Sequence, residues 1–544
     1  MRFKKHLSFI CFFIALLLLA SSLLARVDPA YALVNCKIIP VSSPVIVKGV
    51  IIIRDGLIEF VGPAEKIAIP EDAEVIEAEG LVAYPGLIDA HTNLFIELPK
   101  EEPQRRRGVG MAPQEKESGR YPDVMALKLL KPKKSTMESF HKIGVTTVLA
   151  APGKGIFAGQ SVLLNLNGEK PEAMVVRNPV ALHINFSTAR GVYPATVMGT
   201  MAFLRQSFMD VNYYHSYKSF LAKKPKGIKR PEYNPLLEAL FPFVLEKKPI
   251  IFTCRNQEDI KRALRLIDEF ELNGLLGGVN EAWRVAENLK KAKIPLLVSL
   301  HFKPPYTSIY VNQGEEMKEK SEKEIYPANT AKLQKSGIKF AVTSYGLMKA
   351  DSFLKNIQKA IKAGLSKEEA LKALTIHPAR ILGVSNIMGS LEAGKIANVI
   401  LTSGEIFEEK TRVEKVFVDG ILFKIKKPPK KAKAAALNIT GKWKGTVSGS
   451  MGELDMTIEL EQVENEVTGT ISSSFGKWEI SDGFLSGNDL TFTISAEIMG
   501  QSMEMEFSGK AEKDLIEGTI TFEGGSAEIR ATRIPEERSQ RREP

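Results

Sequence analysis

Residues 84–97 read YPGLIDAHTNLFIE. An apolar pair, Leu87-Ile88, runs into an acid, Asp89, and His91 follows two residues later. A short apolar strand that ends in polar, chemically competent side chains suits a parallel sheet buried on both faces, with its working groups at the strand ends. Asn93 stands two residues past His91, where a second imidazole would complete a metal-binding pair.

Downstream of this strand, short apolar segments alternate with amphipathic ones. The strand candidates are VTTVLAA (145–151), SVLLNLN (161–167), PVALHIN (179–185), PIIFTC (249–254), NGLLGGV (273–279), IPLLVSL (294–300) and KFAVTS (339–344). Helical patterns such as EDIKRALRLIDEFEL (258–272) and NEAWRVAENLKKA (280–292) lie between them. With the strand ending at Asp89 they make eight strands alternating with helices over about 300 residues, the pattern of a (β/α)8 barrel. A last helix, KEEALKALTI (367–376), leads into His377-Pro378.

Outside the barrel, 31–80 and 390–424 both read as short strands, with Asp-Gly hairpin turns at Asp55-Gly56 and Asp419-Gly420. We expect one small composite β-sandwich domain from 26–82 and 385–425, flanking a barrel over 83–384. A Lys/Pro/Ala linker over 426–437 precedes an antiparallel β domain over 438–534, a lipocalin-like barrel or a sandwich that opens with Gly441-Lys442-Trp443. A charged tail, 535–544, closes the chain.

The 544 residues are too many for one core. The formal net charge of +10 gathers in runs, Lys424 to Lys433 and Arg105 to Arg107. Neither run is interleaved with aromatics, so both read as solvated segments and no nucleic-acid partner is expected. At the N-terminus, Arg2, Lys4 and Lys5 precede an apolar run that ends in small residues, the pattern of a signal peptide over 1–25. The protein is expected to be exported, periplasmic or extracellular, with a membrane contact only if the leader stays uncleaved. Cys36 and Cys254 then remain, far apart in sequence and expected to be unpaired.

The stretches YPGLIDAH, GVTTVL, EDIKRALRLIDEF and EAWRVAENL, and the run from Glu368 to Phe407, together resemble the amidohydrolase superfamily, in its imidazolonepropionase-like and dihydroorotase-like branch. The resemblance covers residues 31–425. It implies hydrolysis of non-peptide C–N bonds, as in cyclic amides and imides, by water activated on one or two divalent metals. The ligands it implies are His-x-His after strand one, a lysine or glutamate on strand four, histidines on strands five and six, and an aspartate after strand eight.

In this sequence those slots hold His91 and Asn93, His183, Thr253 and Cys254, Asn280, and Ser344-Tyr345. The resemblance therefore points to a degenerate metal site. His91, His183 and His301 are the candidate ligands for one zinc, iron or manganese ion, the alternative being no metal. Asp89, Asn93, Thr253, Cys254 and Asn280 are the candidate cleft residues. No catalytic residue is assigned, since Tyr345 and Ser344 stand where the aspartate would be. Two functions stay open: a hydrolase with a reduced metal site, and an inactive barrel that binds a small molecule or supports an active amidohydrolase partner. A homo-oligomer is a further open expectation.

Overall fold

The computed structural model describes residues 29–97, 120–168, 170–188, 193–302, 315–347, 349–425, 435, 437–449, 452–474, 476–498, 501–522 and 525–535. The leader expected over 1–25, the run Arg105 to Arg107 and nearly all of the linker and tail lie outside them. The chain divides into two compact units, 1–425 and 426–544.

The first unit begins with five strands, β1 (Ala30–Ile38), β2 (Ile46–Arg54), β3 (Leu57–Pro63), β4 (Ala73–Glu77) and β5 (Val82–Pro85). Three more arrive from far downstream: β16 (Val399–Thr402), β17 (Val413–Val418) and β18 (Ile421–Lys424). They form one sheet in the order β18-β17-β16-β5-β1-β2-β3, with β4 beside β1. Both Asp-Gly pairs make the expected turns. Asp55 and Gly56 have φ of 50° and 76°, and Asp419 and Gly420 have 50° and 77°. Two successive positive φ values are what a two-residue hairpin loop needs, and Asp-Gly tolerates them at little cost.

Between these segments lies the barrel. Its strands are β6 (Leu87–Thr92), β7 (Val145–Ala150), a split stave made of β8 (Phe157–Gln160) and β9 (Val162–Asn165), β11 (Leu182–Asn185), β12 (Ile250–Thr253), β13 (Gly274–Val279), β14 (Leu296–Ser299) and β15 (Phe340–Thr343). β6 and β7 are parallel, as are β11 through β15 in succession. The third stave is reversed: β9 pairs antiparallel with β7, and β8 pairs antiparallel with β11. The short strand β10 (Val175–Arg177) pairs with β9.

Alternation along each strand sorts the side chains into two layers. Ile251, Leu275, Leu297 and Ala341 fill the barrel interior with Ile88, Leu149 and Leu163. Their neighbours Ile250, Phe252, Leu276, Val298 and Val342 pack outward against the helices. Ala379, Leu382, Val384 and Met388 join the interior cluster. They follow the helix Lys367–Leu374 and bring the chain back toward the composite sheet.

The second unit is a closed antiparallel barrel of eight strands in sequence order, from β19 (Gly441–Gly449) to β26 (Gly525–Arg533). Of the two forms expected for this region, the barrel is the one found. Trp443 is wholly buried, its indole N–H donating to the Ile439 carbonyl at 3.1 Å. The Arg533 guanidinium covers the ring at 4.4 Å. Phe492, Phe507, Ile494 and Ile520 are among the apolar side chains of its core.

Candidate functional site

The mouth of the first barrel lies where β6, β11, β13 and β15 end. Asp89, wholly buried on β6, accepts hydrogen bonds from the Ser344 N–H at 2.9 Å, from the Ser344 hydroxyl, and from the His91 N–H at 3.3 Å. These bonds tie the first strand to the end of the eighth. Burial pushes the Asp89 carboxyl up to about 7, against the opposing pull of these three donors. Thr92 adds its hydroxyl, 3.1 Å from that of Ser344.

His91 and His183 meet at the centre of the mouth. Their ring centroids are 4.9 Å apart, and each side chain is 1% exposed. Tyr345 stacks on His91 with centroids 4.4 Å apart and planes at 22°. Burial pushes His91 down to about 3. It also pushes His183 well below the usual imidazole range, with His91 adding to the effect. Both rings are neutral at pH 7 as a result. His91 Nδ1 and both ring nitrogens of His183 are buried without a hydrogen-bond partner. A buried polar atom left in that state costs about 1–3 kcal/mol, and here three such atoms lie at one spot.

Two glycines make this packing feasible. A Cβ on Gly277 would sit 2.6 Å from Ile251 Cγ2 and 3.5 Å from His91 Nδ1. Gly278 has a φ of +64° and backs onto the Tyr345 ring. The Gly-Gly pair in NGLLGGV is the sequence signal for them, since paired glycines at a strand end mark close approach of other atoms. Thr92 and these two glycines are additions to the residues expected from sequence.

The other expected residues fall at different distances from this centre. Thr253 is buried, its methyl 3.4 Å from where a Gly278 Cβ would lie, so it belongs to the same wall. Asn280 is half-buried just past β13. Asn93 is exposed, beside Gly153. Cys254 does not line the cleft, which corrects the expectation for it. It is wholly buried in the outer core, and its thiol reaches the Phe252 carbonyl at 3.4 Å. The reason is alternation: Thr253 points inward, so its neighbour points out. Burial raises the Cys254 thiol well above the usual range, which leaves it inert. Cys36 is also buried and free.

His301 is half-buried at the end of β14, packed beside Gly346. It does not join His91 and His183 as a third ligand. No group of three His, Cys, Asp or Glu side chains able to hold a metal ion occurs among the described residues. A catalytic zinc centre takes three protein ligands and keeps one position open. Here two imidazoles are available, and the nearby carboxylate is engaged by Ser344 and His91 on both oxygens. This donor set does not fit the family's metal centre.

Two further buried histidines behave differently. His141 Nε2 donates to the Leu166 carbonyl at 2.8 Å, and His377 Nδ1 to the Phe340 carbonyl at 3.1 Å. Both lie at the opposite end of the barrel. There Asn165 accepts from the Thr147 hydroxyl at 2.8 Å and from Asn398 at 3.0 Å, and donates to Asp419 at 2.6 Å.

Comparison with known proteins agrees with this architecture. The amidohydrolase family matches residues 252–422. The structure of an amidohydrolase from Thermotoga maritima is similar over 72% of this chain and all of its own, at 26% identity and a TM-score of 0.62. An imidazolonepropionase from Bacillus cytotoxicus is 35% identical over 122 residues, 21% of this chain and 29% of the relative. A 5-methylthioadenosine/S-adenosylhomocysteine deaminase from Moorella thermoacetica is 46% identical over 65 residues, 12% of this chain and 15% of the relative. These curated relatives are thus matched over less than a third of their length. Taken with the barrel, the composite sheet and the strand-end site, the matches place the chain in the amidohydrolase superfamily.

Proposed function

We propose that this protein is an exported member of the C–N hydrolase class whose barrel mouth takes up a small cyclic amide- or imide-like molecule. We propose further that its chemistry does not run through a metal-bound hydroxide. One observation carries this reading: the His91–His183 pair, 4.9 Å apart, with three buried ring nitrogens left unpaired. Neutral imidazoles of this kind donate to a carbonyl oxygen and accept from a ring N–H, and an amide or imide offers both. The named functions of the relatives support the class of molecule. The leader-like pattern over 1–25 supports export.

The residues supply binding more readily than base catalysis. His91, held near 3, is a poor proton acceptor at neutral pH. The Asp89 oxygens are committed to Ser344 and His91. Tyr345 puts a phenol where the family's slot holds a carboxylate.

The test is calorimetric titration with five- and six-membered cyclic amides and imides, with ring opening followed in parallel by mass spectrometry. Binding that disappears in His183→Leu, with no chelator-sensitive ring opening, is the expected result. A second reading, hydrolysis at a reduced metal site, is favoured by the neutral state of the two imidazoles, which metal ligation requires. Near-stoichiometric metal lost in His91→Ala, together with chelator-sensitive turnover, would establish that reading instead.

A further inference from the structure

A cavity of about 250 Å³ opens between the start of the third stave and the helices Val197–Lys223 and Pro235–Val244. Its lining includes Arg120, Phe157, Tyr193, Phe203, Asp210 and Leu237. The aromatic wall is internally braced. Phe203 meets Phe157 edge-on at 5.8 Å and Tyr193 at 6.4 Å. The Arg120 guanidinium lies over the Phe203 ring, 4.4 Å from its centroid. Its backbone is anchored too, bridging to Phe157. Arg120 Nε is buried and has no hydrogen-bond partner. Asp210, the acid on the same wall, accepts from Gln206 at 2.7 Å.

This is a cation fixed in orientation by stacking, with a buried donor unspent, in a lining that is apolar at Phe157, Phe203, Leu237 and Leu240 and polar at Gln206, Asp210 and Asn234. A guanidinium held that way matches a carboxylate, whose two oxygens take parallel N–H donors. The apolar walls suit a compact hydrocarbon body. Asp210 disfavours a second negative charge, so a monoanion fits better than a phosphate dianion. We propose that this cavity is a binding site for a small monocarboxylate with an apolar body, anchored by Arg120. The site is separate from the His91–His183 pair and does not rest on the reading given for it.

The probe is benzoate, titrated into the full chain at pH 7, with benzamide as the neutral counterpart of the same shape. Benzoate should bind at least about ten-fold more tightly than benzamide. Arg120→Gln should abolish that preference, and Asp210→Asn should tighten benzoate several-fold. Equal binding of the two probes, no binding of either, or an Arg120→Gln variant with unchanged benzoate affinity would overturn the proposal. If Arg120→Gln does not fold, as judged by circular dichroism, Asp210→Asn decides: unchanged benzoate affinity in that variant also overturns the site.

Discussion

The two ends of the (β/α)8 barrel each bury a pair of histidines, and they treat them in opposite ways. At the end that meets the composite sheet, His141 and His377 each donate to a backbone carbonyl. At the mouth, His91 and His183 leave three ring nitrogens without partners. The first pair behaves as structure, since a satisfied buried polar group costs little and fixes packing. The second pair holds unsatisfied capacity in a place where burial has already removed its charge. The difference teaches that burial alone does not tell the two pairs apart, whereas their hydrogen bonds do.

Four experiments would break or sharpen that contrast. The largest effect should come from restoring the mouth. The double variant Asn93→His, Tyr345→Asp adds an imidazole and a carboxylate at the family's slots. It should bind zinc on the order of a thousand-fold more tightly than the parent, measured by competition with a chromogenic chelator. A variant no better than the parent would mean that the two imidazoles are not aimed at a shared point.

At the opposite end, Asn165→Ala removes a buried amide that bridges Thr147, Asn398 and Asp419. It should lower the stability of the barrel unit by about 2–4 kcal/mol in denaturant unfolding. A loss below about 1 kcal/mol would show that this end is not the stabilising one.

The third experiment concerns pH. Asp89 sits near 7 in the folded protein, against about 3.9 when unfolded. The folded chain therefore holds a proton that the unfolded chain has lost, and stability falls as pH rises from about 4 to about 7. His91 works the other way. Its folded value is about 3, against about 6.5 unfolded, so its contribution is complete above about 6.5 and is lost as pH falls toward 3. The two slopes oppose each other between about pH 4 and 6.5. Asp89→Asn removes the first slope alone. His183 and His141, also depressed by burial, add to the His91 slope, so the variant should lose stability on acidification through this window more steeply than the parent, by about 1 kcal/mol more per pH unit. Parallel stability–pH curves for the two proteins would refute the assignment.

The smallest effects separate the two histidine pairs directly. His183→Leu should leave unfolding stability unchanged or raise it by up to about 1 kcal/mol, because the orphaned atoms disappear. His141→Leu should lower it by about 1–2 kcal/mol, because the Leu166 carbonyl loses its donor. Equal effects would erase the comparison.

Much of the fold was legible because its signals are local. YPGLIDAH gives a buried strand with a polar end, and the two Asp-Gly pairs give hairpins that need only their own residues to form. The direction of the third stave was not legible, since SVLLNLN has the same apolar alternation read either way. Cys254 was misplaced for a related reason: along a strand, one position decides which face a side chain occupies. The empty ligand slots could be read at Asn93, Asn280 and Tyr345. Which histidines would meet could not, because the contact of His91 with His183 depends on packing between strands that lie far apart in sequence.

The reversed third stave has a consequence for engineering the chain. In a barrel of uniformly parallel strands, every loop that follows a strand opens at the mouth. Here the segment after the third stave, described over 166–168 and 170–181, emerges at the opposite end. There Leu166 N–H donates to the Thr146 carbonyl and Ser161 N–H to the Ala181 carbonyl. The loop before the stave, 151–156, sits at the mouth, where Asn185 holds the carbonyls of Gly153 and Gly155. A peptide tag grafted into 170–173 would therefore leave the mouth untouched. The same graft into 151–156 would change what the barrel admits.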